Sequence, residues 1–133
     1  MSVFGDGEQT RAFSYIADVA PIIAESIRVS AAYNQVFNIG ADKEYSVNEL
    51  SAAVMNAIGV NGKLKHLPAR NEVLHAFSDH TKVNSVFRNN SSTPLAEGLK
   101  KMSDWAKKAG IRKTSRFRDI ELTEKLPPVW LED

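Results

Sequence analysis

The regular spacing of apolar residues between positions 46 and 59 predicts a helix with one buried face. Ser46 and Glu49 have the spacing of a capping box, in which each side chain bonds the backbone amide of the other residue. Apolar residues then recur every three or four positions up to Gly59, which can adopt the left-handed conformation that ends many helices. We therefore predict a helix between these two residues.

Three further segments have apolar residues at helical spacing, and we predict helices over residues 17–30, 79–87 and 93–110. Asp79 and Thr93 are expected to cap the second and third of these helices. Pro94 suits a first helical position and Pro21 a first turn, because their missing amide hydrogens have no helical partner there.

Two short runs predict strands, over residues 35–40 and 62–69, and the glycine turn within residues 3–13 predicts a hairpin. A mixture of helices and strands places the chain in the α/β or α+β class. Residues 113–133 lack sustained periodicity, so we predict one compact region over residues 1–112 followed by a C-terminal arm.

Composition narrows the classes of function. The chain has 133 residues and no cysteine, which excludes disulfide frameworks, thiolate zinc sites and cysteine nucleophiles. Seventeen basic residues against sixteen acidic ones give a net charge of +1, which does not favour a nucleic-acid or membrane partner. Because no apolar run reaches the roughly 20 residues that span a bilayer, we expect a soluble, cytoplasmic protein.

Several candidate chemistries lack the residues that they need. His66, His75 and His80 match no metal-ligand spacing, so we expect structural histidines rather than a metal site. A basic cluster late in the chain is typical of a solvated helix end, since it has little aromatic interleaving for nucleic-acid binding. Its members are Lys100, Lys101, Lys107, Lys108, Arg112, Lys113, Arg116 and Arg118.

The glycine turn does not match a dinucleotide fingerprint. Gly5 and Gly7 are present, but Thr10 stands where the third glycine is needed. A tight hairpin turn is therefore favoured over cofactor binding. The chain also lacks the serine motif of a nucleophile elbow.

Two arginines lie next to predicted turns and strand ends. Arg11 follows the glycine turn, and Arg70 comes two residues before Glu72. Two planar guanidinium groups converging on one cleft could hold a diphosphate. From the residues alone, however, ordinary surface salt bridges are the commoner explanation.

The order of segments resembles a known family. "GDGEQTRAFSYIADVA", "VFNIGADKEYSVNELSAAV", "LPARNEVLHAFSDHTKV" and "TPLAEGLKKMSDWAKKAG" are similar, in this order, to the C-terminal half of extended short-chain dehydrogenases/reductases. The nearest resemblance is to the NAD-dependent nucleotide-sugar epimerases and dehydratases, typified by UDP-glucose 4-epimerase. The resemblance implies the substrate-binding subdomain plus the last helix and strand of the Rossmann domain, without the N-terminal Rossmann core.

The resemblance also implies a set of substrate-binding residues. Arg11 matches an arginine that contacts the nucleotide diphosphate, and Gln9 beside it would neighbour the nucleotide. Arg70 matches a second phosphate-binding arginine and Glu72 an acidic residue that binds ribose hydroxyls, although their spacing is one residue shorter than in the epimerases. Ala17 and Arg88 also depart from the family pattern, in which these positions are often acidic and glycine.

The catalytic part of the family pattern is not found. The residues four positions after Tyr15, Tyr33 and Tyr45 are not lysines, so the Tyr-x-x-x-Lys pair is missing, as is the glycine fingerprint for NAD. We therefore expect a truncated protein that binds a nucleotide sugar, such as a UDP-sugar, without binding NAD or catalysing a reaction alone.

The segment at residues 35–40 would leave an unpaired apolar strand edge if the Rossmann sheet is missing. We expect a homo-oligomer to cover it, by strand exchange between protomers in one arrangement. Two alternatives stay open: a non-catalytic interaction module, and half of a split enzyme whose Rossmann domain is a separate chain.

Overall fold

Five short strands form two small sheets in the computed structural model of the chain, which describes residues 1–87 and 92–111. The strands are β1 (Ser2–Phe4), β2 (Thr10–Ala12), β3 (Glu44–Ser46), β4 (Lys65–Leu67) and β5 (His75–Ala76). Strand β1 pairs in parallel with β4. Strand β2 is the centre of the second sheet, antiparallel to β3 and parallel to β5.

The described residues also form four α-helices, and the class is mixed α/β as predicted. They are α1 (Ile16–Ser26), α2 (Val47–Ile58), α3 (Thr81–Phe87) and α4 (Leu95–Ala109), with a short 3-10 helix at Ser30–Ala32. Among the residues described, no helix is long and apolar enough to cross a membrane.

Helix α2 has the ends that its sequence predicts. The Ser46 hydroxyl accepts a hydrogen bond from the Glu49 amide at 3.1 Å, and Glu49 Oε2 accepts one from the Ser46 amide at 2.7 Å. Gly59 ends the helix in the left-handed conformation, with φ 81° and ψ 36°. Residues within helix α2 or directly next to it therefore define both of its ends.

The predicted hairpin at the glycine turn is wrong. Strands β1 and β2 belong to different sheets, and the turn carries the chain from one sheet to the other. The Gly5 amide extends the β1–β4 pairing by donating to the Leu67 carbonyl at 3.0 Å, while the Thr10 amide donates to the Leu74 carbonyl at 2.8 Å. Partners distant in sequence thus take the hydrogen bonds that a hairpin would use.

The strand predicted over residues 35–40 is also not formed. Val36 is 82% exposed, and a strand needs a paired neighbour, which this segment lacks among the described strands. The segment is held by side chains instead: Phe37 contacts Phe87 edge-to-face at 5.5 Å, and Lys82 Nζ donates to the Val36 carbonyl at 2.9 Å.

Two smaller expectations about helix starts need correction. Thr93 does not cap α4, which begins after Pro94. The amide and hydroxyl of Thr93 donate instead to the Asp18 carboxylate, at 2.8 and 3.0 Å, and so tie the start of α4 to α1. Pro21 lies beyond the first turn of α1, since the helix begins at Ile16.

The buried apolar side chains are few and come from four different elements. Within the described part of the chain they are Val3, Ile22, Val83 and Leu99. Helices α2 and α4 pack against each other beside them. The predicted arm at residues 113–133, the boundary at 112 and Arg88 lie outside the described residues.

Candidate functional site

The four residues predicted to bind a nucleotide sugar lie together, around the carboxylate of Glu72. Arg11 Nη2 is 3.2 Å from Glu72 Oε2, and Arg70 Nε is 3.4 Å from Glu72 Oε1. Arg70 Nη2 is 3.5 Å from Oε2, and Gln9 Nε2 donates to Oε1 at 3.3 Å. The structure therefore brings the four side chains into one cluster, the Glu72 cluster.

Pairing of β2 with β5 explains this convergence. Arg11 lies on β2 and faces Ala76 of β5 in the parallel register, so the loop before β5 runs alongside Arg11. Gln9 precedes β2 and is only 6% exposed. Its Nε2 also donates to the Phe4 carbonyl at 3.0 Å, which fixes the amide next to Glu72.

Arg11 is held mainly by backbone carbonyls. Its Nη1 donates to the carbonyls of Thr10 at 2.6 Å and Leu74 at 3.2 Å, and its Nη2 donates to the Val73 carbonyl at 2.7 Å. Only one donor of this guanidinium group, on Nη2, is directed at Glu72. Arg11 thus fastens the loop after Glu72 to β2 as well as facing the carboxylate.

Arg70 has a different environment. Its guanidinium carbon lies 4.5 Å from the centre of the Phe4 ring, within the range of a cation–π contact. The side chain is 39% exposed and presents Nε and Nη2 to Glu72. Arg70 is therefore the more accessible of the two arginines.

Two guanidinium groups and one carboxylate leave the Glu72 cluster with a net positive charge. The side chains of Arg11 and Glu72 are 28% and 22% exposed, so solvent reaches the cluster. Ion pairs this exposed contribute little to stability, about 0–1 kcal/mol. Chemically, the cluster can bind an anion with several oxygen atoms, since its donors are directed at one point.

Each histidine has a protein partner of its own. His66 Nδ1 lies 2.8 Å from the Gly5 carbonyl oxygen, and His75 Nδ1 lies 2.9 Å from the Thr10 hydroxyl. His80 is buried, and its Nδ1 lies 2.6 Å from Asp42 Oδ1. Within residues 1–87 and 92–111, no group of three His, Asp or Glu side chains could hold a metal ion.

The glycine turn differs in geometry from a dinucleotide-binding turn, which leads into the N-terminus of a helix. It leads into strand β2 rather than into a helix, and the Gly7 carbonyl accepts from the Asn48 amide at 3.0 Å. Gly7 also faces the Asn48 side chain so closely that an added Cβ would lie 2.2 Å from Asn48 Oδ1. The N-terminal residues of helix α2 therefore pack directly against the glycine turn.

The described part of the basic cluster lies on the exposed surface of α4. Lys101 Nζ pairs with Glu97 at 2.7 Å, and the hydrogen bond to this carboxylate raises the pKa of Lys101. The members from Arg112 onward lie outside the described residues.

Further contributors to the Glu72 cluster were not predicted from the sequence. They are the ring of Phe4 and the carbonyl groups of Phe4, Thr10, Val73 and Leu74. Strand β5 was also missed, since it has two residues. A carbonyl acceptor has no signal in the sequence, whereas Phe4 could have been noticed as the aromatic residue preceding the glycine turn.

Comparison with known proteins supplies relatives, although no protein-family model matches the chain. The chain is 36% identical over 106 residues to a putative UDP-glucose 4-epimerase of Methanocaldococcus jannaschii, covering 79% of this chain and 33% of that protein. It is 28% identical over 128 residues to a UDP-N-acetyl-alpha-D-glucosaminuronate decarboxylase of Bacillus cytotoxicus, covering 90% of this chain and 36% of that protein.

The fold is likewise similar to solved epimerases. The structure of UDP-glucose 4-epimerase from Thermotoga maritima with UDP-glucose matches with a TM-score of 0.69 and 27% identity. That match covers 82% of this chain and 35% of the solved chain. The chain thus spans about a third of the length of the relatives that it matches.

Proposed function

We propose that this chain binds the nucleotide diphosphate of a UDP-sugar. The premise is that the chain belongs to the extended short-chain dehydrogenase/reductase family of nucleotide-sugar epimerases, of which it spans a part. The observation that carries the proposal is the convergence of donors from Gln9, Arg11 and Arg70 on one anionic group. Two of the relatives act on UDP-sugars by name, and a third was solved with UDP-glucose.

Each residue has a proposed role; the contacts support those of Arg70, Arg11 and Gln9, and the family resemblance suggests that of Glu72. Arg70 binds a phosphate through Nε and Nη2, which form one edge of its guanidinium group. Arg11 adds one donor from a fixed position, and Gln9 adds an amide donor. Glu72 accepts a hydrogen bond from a ribose hydroxyl.

We propose that the chain positions the nucleotide sugar and does not itself catalyse a reaction. No tyrosine of the chain is followed four residues later by a lysine, and the glycine turn leads into a strand rather than into a helix. Hydride and proton transfer would need a Tyr-x-x-x-Lys pair and an NAD site from a Rossmann domain. The relatives include an epimerase and a decarboxylase, so the proposal extends to binding and not to one reaction.

Isothermal titration calorimetry with UDP and UDP-glucose tests the proposal. Arg70→Ala should weaken UDP binding by at least about tenfold, since a charge-assisted pair of hydrogen bonds is lost. Arg28→Ala is the matched control, because Arg28 is exposed just after α1 and is not part of the Glu72 cluster. Absence of heat with millimolar UDP would contradict the proposal.

A second candidate function is self-association, with a cytoplasmic homo-oligomer as the expected form. The observation that favours it is the apolar surface of α1, where Ile16 is 67% and Ile23 56% exposed, together with Val36 in the unpaired segment. Exchange of residues 35–40 between protomers would supply the missing strand pairing.

A further inference from the structure

We propose that Glu72 determines which anions the Glu72 cluster accepts: its carboxylate occupies the anion position in the free protein and excludes anions that offer it no hydroxyl group. This inference rests on the proposed function and deepens it. On binding, the ligand replaces the Glu72 carboxylate as the acceptor of the hydrogen bonds from Gln9, Arg11 and Arg70.

The distances around Glu72 favour such an exchange. The four contacts of its carboxylate with Gln9, Arg11 and Arg70 measure 3.2 to 3.5 Å. Charge-assisted N–H···O hydrogen bonds usually measure about 2.7–2.9 Å. The carboxylate is therefore held loosely by donors that converge on it, and moving it breaks no short contact.

The donors that face Glu72 are separate from those that maintain the fold. Arg11 makes its shortest contacts with the carbonyls of Thr10 and Val73, at 2.6 and 2.7 Å, and these can persist when the carboxylate leaves. One Gln9 hydrogen bond to the Phe4 carbonyl can persist for the same reason. Displacement therefore frees one donor each from Gln9 and Arg11 and two from Arg70.

The displaced carboxylate remains beside the bound anion, since the backbone of Glu72 lies between Arg70 and the loop fastened by Arg11. Its negative charge repels a phosphate, and a hydrogen bond donated to the carboxylate offsets part of that cost. A ribose hydroxyl can donate that bond, whereas inorganic pyrophosphate in alkaline solution, where it has lost its last proton, cannot. Glu72 thus lowers the affinity for simple anions more than the affinity for nucleoside diphosphates.

Calorimetric titrations of three proteins with pyrophosphate and with UDP test the inference, in alkaline buffer where pyrophosphate carries no proton and the guanidinium groups stay charged. The proteins are the unchanged chain, Glu72→Gln and the control Glu97→Gln, which removes one carboxylate from the surface of α4. We expect Glu72→Gln to bind pyrophosphate at least about tenfold tighter than the unchanged chain, with a smaller gain or a loss for UDP. Glu97→Gln should match the unchanged chain with both probes.

The outcomes separate this inference from the proposed function. If the unchanged chain binds UDP and Glu72→Gln gains no affinity for pyrophosphate, the inference is wrong and the proposed function stands. If Glu72→Gln gains affinity for pyrophosphate while UDP binds no better than pyrophosphate to the unchanged chain, the exchange stands and nucleotide recognition is wrong. If no protein binds either probe, both are wrong.

Two additional variants guard against an effect on folding. Glu72→Ala removes the same charge with a different side chain and should show the same gain for pyrophosphate. Adding Arg70→Ala to Glu72→Gln should abolish the gain, because it removes two of the four freed donors. A gain that survives this second substitution would place the anion elsewhere and overturn the inference.

Discussion

At the residue scale, the glycine turn is defined by its contact with Asn48. Asn48 Nδ2 donates to the Asp6 carbonyl at 2.9 Å and to Glu8 at 2.7 Å, so the first turn of α2 closes over the turn. Gly7 has φ +79° and no room for a side chain. Glycine is required here for its backbone conformation and for its size.

Gly7→Ala should destabilise the protein more than Gly59→Ala, although both glycines have positive φ. Gly59 has no atom within 4 Å of an added Cβ, so its substitution measures the backbone cost alone, roughly 1–2 kcal/mol. Gly7→Ala must also displace Asn48 and its hydrogen bonds, which should add at least about 1 kcal/mol. Urea unfolding measures both.

A double-mutant cycle isolates the contact. In an Asn48→Ala background, Gly7→Ala should cost no more than Gly59→Ala, because the obstructing side chain is gone. Equal costs of Gly7→Ala with and without Asn48 would show that the contact with Asn48 has no energetic effect.

Asp79 makes stability depend on pH in the acid range. The side-chain hydroxyl of Thr81 and then its amide, at 2.6 and 2.8 Å, hold the pKa of Asp79 below its ordinary value of 3.8. A lowered folded-state pKa gives stability that is present above the unfolded pKa and is lost as pH falls through the folded pKa.

Asp79→Ala should therefore lower the thermal midpoint at neutral pH, with a difference from the unchanged chain that shrinks as pH falls below about 3.8. Thermal unfolding followed by circular dichroism across pH 2–7 measures this difference. A constant difference across that range would mean that the charge of Asp79 has no part in the effect.

At the element scale, helix α2 was predictable because its signals are local. Ser46, Glu49 and Gly59 act within a few residues of their own positions, and the structure reproduces each predicted role. Strand pairing is not local, which explains why the predicted hairpin and the strand at residues 35–40 are wrong. The pairing of either segment could be predicted only if its partner strand were already known.

The capping box of α2 should be worth a measurable amount of stability. Ser46→Ala removes the acceptor of the Glu49 amide and should cost about 1 kcal/mol in the free energy of unfolding. Ser46→Thr keeps the hydroxyl and should lose much less. Ser78→Ala, at an exposed position, is the control for a lost serine hydroxyl. Equal stability of the Ala and Thr variants at residue 46 would contradict this role.

The Glu72 cluster was predictable in membership and not in arrangement. The family resemblance selected Gln9, Arg11, Arg70 and Glu72, and the structure places these side chains together. The resemblance did not indicate that backbone carbonyls accept hydrogen bonds from the Arg11 guanidinium group. These hydrogen bonds depend on the pairing of β2 with β5. Their binding roles stay predictions until ligand is titrated.

At the scale of the whole molecule, helix α1 is apolar on two faces. Ile22 is buried against the rest of the chain, while Ile16 and Ile23 on the helix and Ile27 at its C-cap are 67%, 56% and 72% exposed. These three residues lie about 100–140° around the helix axis from Ile22. A helix that is apolar on both sides is normally buried on both. The exposed face therefore favours association with another polypeptide surface. We expect that surface to be a second copy of this chain, because the copies are present at equal concentration.

Charge placed on this face should dissociate an oligomer without unfolding the protomer. We expect light scattering at micromolar concentration to show a homo-oligomer for the unchanged chain and a monomer for the double variant Ile23→Glu and Ile27→Glu. Ala52→Glu, at an exposed position on α2, introduces such a charge away from α1 and should leave the oligomer intact. A strictly monomeric unchanged chain of normal stability would show that this apolar face is tolerated in water, and the self-association hypothesis would then be wrong.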